Sequence, residues 1–303
     1  MERKDEQIQT IDLQIDHPEV DDLEKDFKAK SLKAHVLSLI HRWPYERLMI
    51  QAKGKNVLEL GCNKGFGTII YADDAKHVKA VDTSFEAIEK ARKYNARENI
   101  EYICLNSWTL PFEDNTFDLT VLFQVIEHIA LDKLDIFLRE IRRVTRMDGQ
   151  VIVSTPNRNI RLLPFQNPRN KFHTKEYSAQ DLEQLLSRYF AEVRVEGLFG
   201  VEALNEIERR RVKQKPSKVY LKGPLRKYVI RPVLGWVPDN LKAAIQGTLP
   251  RRTKTKAENS CLQDAKVAAT EPADFPFTTS DLEYRDDSLH QALDLRAIVL
   301  QVK

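Results

Sequence analysis

The stretch Val57-Leu58-Glu59-Leu60-Gly61-Cys62-Asn63-Lys64-Gly65-Phe66-Gly67 decides the fold. A short apolar run ends in a tight turn with glycines at 61, 65 and 67. Without Cβ atoms, backbone N–H groups there can approach a ligand closely. Asn63 sits inside the turn, and Asn adopts left-handed backbone more readily than most residues. Outward from this turn the chain alternates two periods. Asn56–Leu60, His77–Asp82, Ile100–Leu105, Phe117–Phe123 and Gln150–Ser154 read as strands. Phe85–Arg97 and Lys133–Arg146 read as helices between them, the second carrying Leu134, Phe137, Leu138, Ile141 and Val144 on one stripe. Thr83 precedes the first helix with Glu86 three residues on, a capping-box spacing. Strands separated by helices predict right-handed βαβ units and a parallel sheet.

The flanks are less regular. Residues 31–50 read as a helix interrupted near Pro44. Ser178, with Asp181 three residues on, opens a helix over Ala179–Ser187, and a strand follows at Glu192–Leu198. The pattern then lapses for about ninety residues until Ala292–Val302, a final strand. The chain of 303 residues therefore divides into an acidic flexible arm (1–30), a sheet core (31–200), a basic, partly helical insertion with a polar loop (201–290) and the closing strand (291–303). Within the insertion, Val201–Arg211 and Leu241–Ile245 read as helical.

Composition narrows the class. Hydrophobic residues make up 42% and charged residues 31% of the chain, as in a soluble globular protein. Cys62, Cys104 and Cys261 form no CxxC or Cys/His cluster, which argues against a disulfide framework or a zinc site and suits a reducing, cytoplasmic compartment. No apolar run suits a membrane span, and the acidic start is no secretory signal. The net charge of +3 hides an asymmetry: residues 209–256 hold 15 Lys/Arg and one acid, so the remainder is acidic.

Asp82 ends the second strand, 21 residues after Gly61. A carboxylate there can accept both hydroxyls of a ribose, and ligands of such sheets bind beyond the strands' carboxyl ends. The plainer reading of Asp82 is a helix cap. Dinucleotide spacing GxGxxG fails, because Asn63 and Phe66 occupy the required positions, and GxxxxGK[ST] is absent. The turn suits a nucleoside without a pyrophosphate.

Four stretches in order resemble motifs of class I S-adenosylmethionine-dependent methyltransferases. Glu59-Leu60-Gly61-Cys62-Asn63-Lys64-Gly65 resembles their (D/E)xGxGxG turn, and Asn106–Asp118 (NSWTLPFEDNTFD) their DAxxLPFxDxxFD segment. Gln124–Ile129 (QVIEHI) resembles the segment after their fourth strand, and Met147–Asn157 (MDGQVIVSTPN) their xGGxLxxxxPN strand. The resemblance implies a Rossmann-like α/β fold: a seven-stranded, mostly parallel sheet with an antiparallel final strand. It implies S-adenosylmethionine as cofactor. Glu59 with the Gly61, Cys62, Asn63 and Gly65 backbone would hold its methionine part. Asp82, with Thr83 beside it, would bind the ribose. Asn106, where the family has Asp, would face the adenine with Ser107 nearby, and Gln124 and Tyr45 would also contact the cofactor. Asn63 replaces the middle glycine of the turn.

Methyl transfer from a sulfonium is an in-line displacement, and a base is needed only for a hydroxyl or protonated amine acceptor. His128, with Glu127, follows the fourth strand and could take such a proton; the bland reading has it packing under the cofactor. His173, in the loop after the fifth strand, and Glu176 could shape the acceptor site or merely lead into the Ser178 cap. The region resembles ubiquinone-pathway O-methyltransferases, whose ExxEH segment is associated with a divalent metal. Gln124 replaces its first carboxylate, which disfavours a metal and leaves the choice between base and metal open. The (D/N)PP(Y/F) motif of base-amino methyltransferases and the Pro-Cys of cytosine-C5 enzymes are missing. Apolar and aromatic residues interleave with the cations of 209–256, which suits a lipid or glycan acceptor and peripheral contact with an anionic membrane over nucleic acid; a solvated lid is the plain alternative. The expectation is O-methylation of a small-molecule, lipid-linked or glycan acceptor. An RNA methyltransferase and a non-catalytic nucleoside-binding module are the competing readings.

Overall fold

The computed structural model describes residues 31–213 and 275–300. The acidic arm, the expected helix at Leu241–Ile245, most of the basic segment, Cys261 and the end of the final strand lie outside them.

The strands are β1 (Asn56–Leu60), β2 (His77–Asp82), β3 (Ile100–Cys104), β4 (Phe117–Phe123), β5 (Thr145–Pro156), β6 (Glu192–Gly200), β7 (Leu282–Arg285) and β8 (Asp294–Leu300). They form one sheet in the order β3-β2-β1-β4-β5-β8-β6-β7. Neighbours from β3 to β5 are parallel, and β8 runs antiparallel to both β5 and β6. Among the described residues the expected seven strands are therefore eight. The addition, β7, lies inside the stretch read as an insertion and pairs antiparallel with β6 at the sheet edge. Four residues, LEYR, are too short to announce a strand by alternation.

The helices are α1 (Leu32–Ala52), α2 (Thr68–Tyr71), α3 (Phe85–Tyr94), α4 (Leu134–Val144), α5 (Arg158–Arg161), α6 (Ala179–Leu186) and α7 (Glu202–Val212). Alternation in the buried strands sorts two cores. Leu58, Leu60, Leu122, Val151 and Val153 pack with α4 and α6, whereas Val57, Leu119, Val121 and Ile152 pack with α1, α2 and α3. The predicted stripe of α4 is buried throughout. Each such side chain contributes roughly 1.5–3 kcal/mol.

Three local expectations change. Helix α1 runs unbroken through Pro44, which is itself buried. An interior proline costs about 3 kcal/mol, and burial of Val36, Leu39, Ile40, Leu48 and Ala52 along the same helix offsets it. Ser84, not Thr83, caps α3: its Oγ accepts the Ala87 N–H at 3.2 Å. The apolar run of the third strand predicts a buried Cys104, but it is exposed, at the end of β3 on the other sheet edge. The capping box of Ser178 and Asp181 forms as read.

Candidate functional site

A cavity of about 330 Å³ opens at the carboxyl ends of β1, β2 and β4, where a parallel sheet of this order places its ligands. Tyr45, Gly61, Cys62, Asn63, Asp82, Thr83, Ser107, Gln124, Glu127, His128 and His173 all line it. Glu59, Gly65 and Asn106 are not among its lining residues.

The glycine turn works differently from the expectation. Gly61 and Cys62 N–H both donate to the Val81 carbonyl, and Gly65 N–H donates to Cys62. Asn63 N–H donates to Asp82 Oδ2 at 2.8 Å. These donors face the fold, so they do not cradle an anion. The glycines serve packing instead. A Cβ on Gly61 (φ +81°) would stand 2.4 Å from Val125, one on Gly65 (φ +78°) 2.4 Å from the Tyr102 hydroxyl, and one on Gly67 2.1 Å from the Tyr45 ring. Such approaches have no room for a methyl group. Asn63 takes the left-handed backbone read from its sequence position, at φ +47°. A ligand ammonium needs acceptors, and a turn whose N–H groups are spent inward suits that better than a phosphate.

Asp82 makes the cap contact weighed for it and also lies at the cavity. Its Oδ1 accepts the Ser84 N–H at 2.9 Å beside the start of α3, its Oδ2 accepts Asn63, and it also lines the cavity. A carboxylate offers about four lone-pair sites, so two backbone bonds leave capacity for a diol. Burial pushes its carboxyl above the ordinary range, against the pull of those N–H groups. Glu59 is correctly placed in the chain but turned away. It is buried beneath the turn and accepts the Tyr71 hydroxyl at 2.8 Å. Asn106 is exposed, while Leu105, Ser107 and Trp108 reach the cavity in its stead. Trp108 packs edge-on against Phe137. Cys62 is buried in the turn, its thiol pushed up by burial, which removes it as a nucleophile.

At the other end lie two histidines. The turn after β4 holds Glu127 and His128, and Thr174 ties the later loop to it, its Oγ donating to the carbonyls of Glu127 and Ile129 at 3.1 and 2.6 Å. This brings the His128 and His173 rings edge-to-face, 4.6 Å apart. His128 Nδ1 lies 3.1 Å from the Phe172 carbonyl, which can only accept, so Nδ1 carries the proton. His173 Nδ1 lies 3.0 Å from Glu176 Oε1. Glu176 is fully buried, and Arg161 stands 3.5 Å from its other oxygen. In the neutral form of each ring the lone pair would therefore sit on Nε2. Sequence reading separated these histidines by 45 positions and had no means to join them.

Burial pushes the Glu127 carboxyl from 4.5 up to about 7, although His173 pulls it down. Thr155 donates to its Oε2 at 3.0 Å, while its Oε1 is buried without a hydrogen-bond partner. A carboxyl raised in the folded state binds its proton more tightly there than in the unfolded chain. Stability therefore falls as pH rises from about 4.5 to about 7, by up to about 3 kcal/mol. Glu127→Gln is expected to melt higher than the parent at about pH 8 and to converge with it below about pH 4. Equal melting curves at alkaline pH would show that the carboxylate is fully compensated.

Several lining residues escaped the sequence reading. Ser38, His41 and Arg42 join the expected Tyr45 on one helical face of α1 over the cavity, and the i, i+3, i+4, i+7 spacing of the four was the available signal. Asp294 of β8 accepts the Gln124 Nε2 at 2.6 Å and is buried. Gln124 itself stands at φ +58°. No local pattern connects residues 170 positions apart.

Comparison with known proteins agrees with this geometry. Residues 58–153 match a family described as a methyltransferase domain. A probable S-adenosylmethionine-dependent methyltransferase of Mycobacterium tuberculosis is 38% identical over 172 residues, covering 56% of this chain and 61% of that protein. A ubiquinone biosynthesis O-methyltransferase of Coxiella burnetii is 28% identical over 144 residues, covering 46% of this chain and 61% of the other. The alignment thus spans about three-fifths of these relatives' length. A Thermotoga maritima structure described as an S-adenosylmethionine-dependent methyltransferase, possible histamine N-methyltransferase, superposes with TM-score 0.50 at 13% identity over 93% of this chain and 96% of that one, a likeness of fold. The sheet order and these matches agree: residues 58–153 form a domain similar to that of S-adenosylmethionine-dependent methyltransferases.

Proposed function

We propose that the protein transfers the methyl group of S-adenosylmethionine to a hydroxyl oxygen of a small-molecule, lipid-linked or glycan acceptor. The observation that carries this is the pairing, in one cavity, of a nucleoside-type carboxylate, Asp82, with two tautomer-fixed histidines, His128 and His173. The acceptor oxygen attacks the methyl carbon as the carbon–sulfur bond breaks, and the sulfonium leaves as a neutral thioether. The hydroxyl proton passes to an imidazole Nε2. Asp82 and the Gly61 turn orient the donor. Tyr45 and Trp108 close its flanks against water.

The test is incubation of the protein with cell extract and isotopically labelled methyl donor, followed by mass spectrometry. A labelled small molecule, lipid or glycan supports the reading. Label in RNA would favour the nucleic-acid alternative. Donor binding without turnover would leave a nucleoside-binding module.

A second reading has one specific support. Among the described residues, Glu127, His128 and His173 present donor atoms within 4.8 Å of one another, and Glu127 Oε1 has no hydrogen-bond partner. These three could hold a divalent cation, which would polarise the acceptor hydroxyl. The base reading expects EDTA to leave turnover unchanged. Loss of turnover restored by added metal would replace it.

A further inference from the structure

We propose that the loop between Arg161 and His173 is a contact finger for an anionic lipid bilayer, with Phe165 as its apolar tip. The loop leaves the cavity at Arg161 and returns to it at His173. Between them, Pro164 and Phe165 occupy the centre of a tight turn. The Gln166 N–H donates to the Leu163 carbonyl at 3.1 Å, and the Gln166 side-chain oxygen accepts the Leu163 N–H at 3.1 Å. Phe165 stands at φ +57°, a conformation that favours glycine, and its side chain is 99% exposed. An aromatic residue held at such a φ, in a turn closed on both sides, gains no packing within the fold.

Charge selects the partner. Residues 158–175 contain five cations, Arg158, Arg161, Arg169, Lys171 and Lys175, and no acid. Arg169 and Lys171 are exposed on the same loop as Phe165. The Arg169 guanidinium also reaches the Val212 carbonyl at 3.4 Å, at the end of α7. The loop is thereby joined to the start of the basic stretch 209–256. Arg161 and Lys175 face Glu176 and Asp181, so the exposed cations beside the ring are Arg169 and Lys171, and an exposed ring beside them matches a surface that is apolar within and anionic at its face. No described helix is long and apolar enough to cross a membrane. Methyl transfer is not a premise of this inference. A docked loop would nevertheless set the cavity at the bilayer surface.

The experiment is co-sedimentation of the full chain with vesicles of phosphatidylcholine alone and of phosphatidylcholine mixed with phosphatidylglycerol. The parent is expected to sediment with the mixed vesicles and to be released by salt. Phe165→Gly is expected to lower partitioning about tenfold or more, since it withdraws one fully exposed aromatic ring. Glycine suits this φ better than phenylalanine, so misfolding would not account for the loss; an unchanged melting temperature checks this. Arg169→Glu with Lys171→Glu is expected to lower partitioning at least as far. Failure of the parent to bind the mixed vesicles would overturn the proposal. So would undiminished binding of Phe165→Gly, which would place any membrane contact in residues 214–256, and so would binding displaced by RNA and indifferent to Phe165.

Discussion

Replacing Asp82 by alanine is expected to weaken S-adenosylmethionine binding by at least tenfold and by as much as a hundredfold or more. The carboxylate is the ribose acceptor in the proposed function, and it also holds the turn. Its two oxygens take the N–H groups of Asn63 and Ser84, joining the glycine turn after β1 to the residue that caps α3. Alanine removes a charged acceptor for the ligand and frees both backbone donors at once. A hydrogen bond to a charged group is worth about 1.5–3 kcal/mol, so even one lost ligand contact reaches tenfold. Isothermal titration with the donor and with its demethylated product measures the change. Asp82→Asn refines it. An amide offers one acceptor oxygen, so it cannot satisfy both backbone donors and keep its place. The two variants should rank parent, Asn, Ala in affinity. Unchanged affinity in Asp82→Ala would show that the carboxylate is a cap and nothing more, and would remove the ribose assignment.

The same residue marks how far sequence reaches. The strand at 77–82 and the glycine turn at 61 were legible because a parallel sheet buries both faces, and near-continuous apolar runs bounded by Gly and Asp have few other uses. Helix α4 was legible because its stripe has helical period. The cavity end of β2 followed from topology. What did not follow were features decided by packing at long range. Glu59 keeps its motif position, but burial under Tyr71 gives it a partner inside the protein. The N–H groups of Gly61, Cys62 and Asn63 are spent on Val81 and Asp82, because the strand ends lie close enough to take them. Sequence spacing states that a turn is tight without stating which way its donors point. Asn106 follows the edge strand β3 and is exposed, while Ser107 and Trp108 line the cavity instead.

The chain ends show a second kind of limit. Strand β8 enters the sheet between β5 and β6, against the direction of both, and delivers Asp294 to Gln124. That contact ties the turn after β4 to the last described strand. Strand β7 was lost inside an apparent insertion because its alternation covers four residues. Pro44 misled for the opposite reason. Its local signal is strong, but a helix with several buried positions on either side outweighs one missing hydrogen bond.

His128→Ala is expected to cut turnover about a hundredfold or more while leaving donor affinity intact. The ring is held by the Phe172 carbonyl on Nδ1, so its basic nitrogen is Nε2, and the ring lines the cavity beside the raised carboxyl of Glu127. A positioned general base contributes about 10²–10⁴ in rate. Its removal should appear in kcat, with the donor dissociation constant unchanged. A packing role predicts a different pattern. If His128 only supports the loop through Phe172, its loss should lower the melting temperature and disturb the neighbouring His173, raising KM for the acceptor with kcat largely preserved. His173→Ala supplies the comparison, since Glu176 fixes that ring independently. A deep kcat loss in His128→Ala alone assigns the proton transfer to His128. A deep loss in His173→Ala alone assigns it to the Glu176-supported ring. Full rate in both variants would mean that the acceptor needs no base, and the oxygen assignment would give way to an acceptor that attacks as its free electron pair.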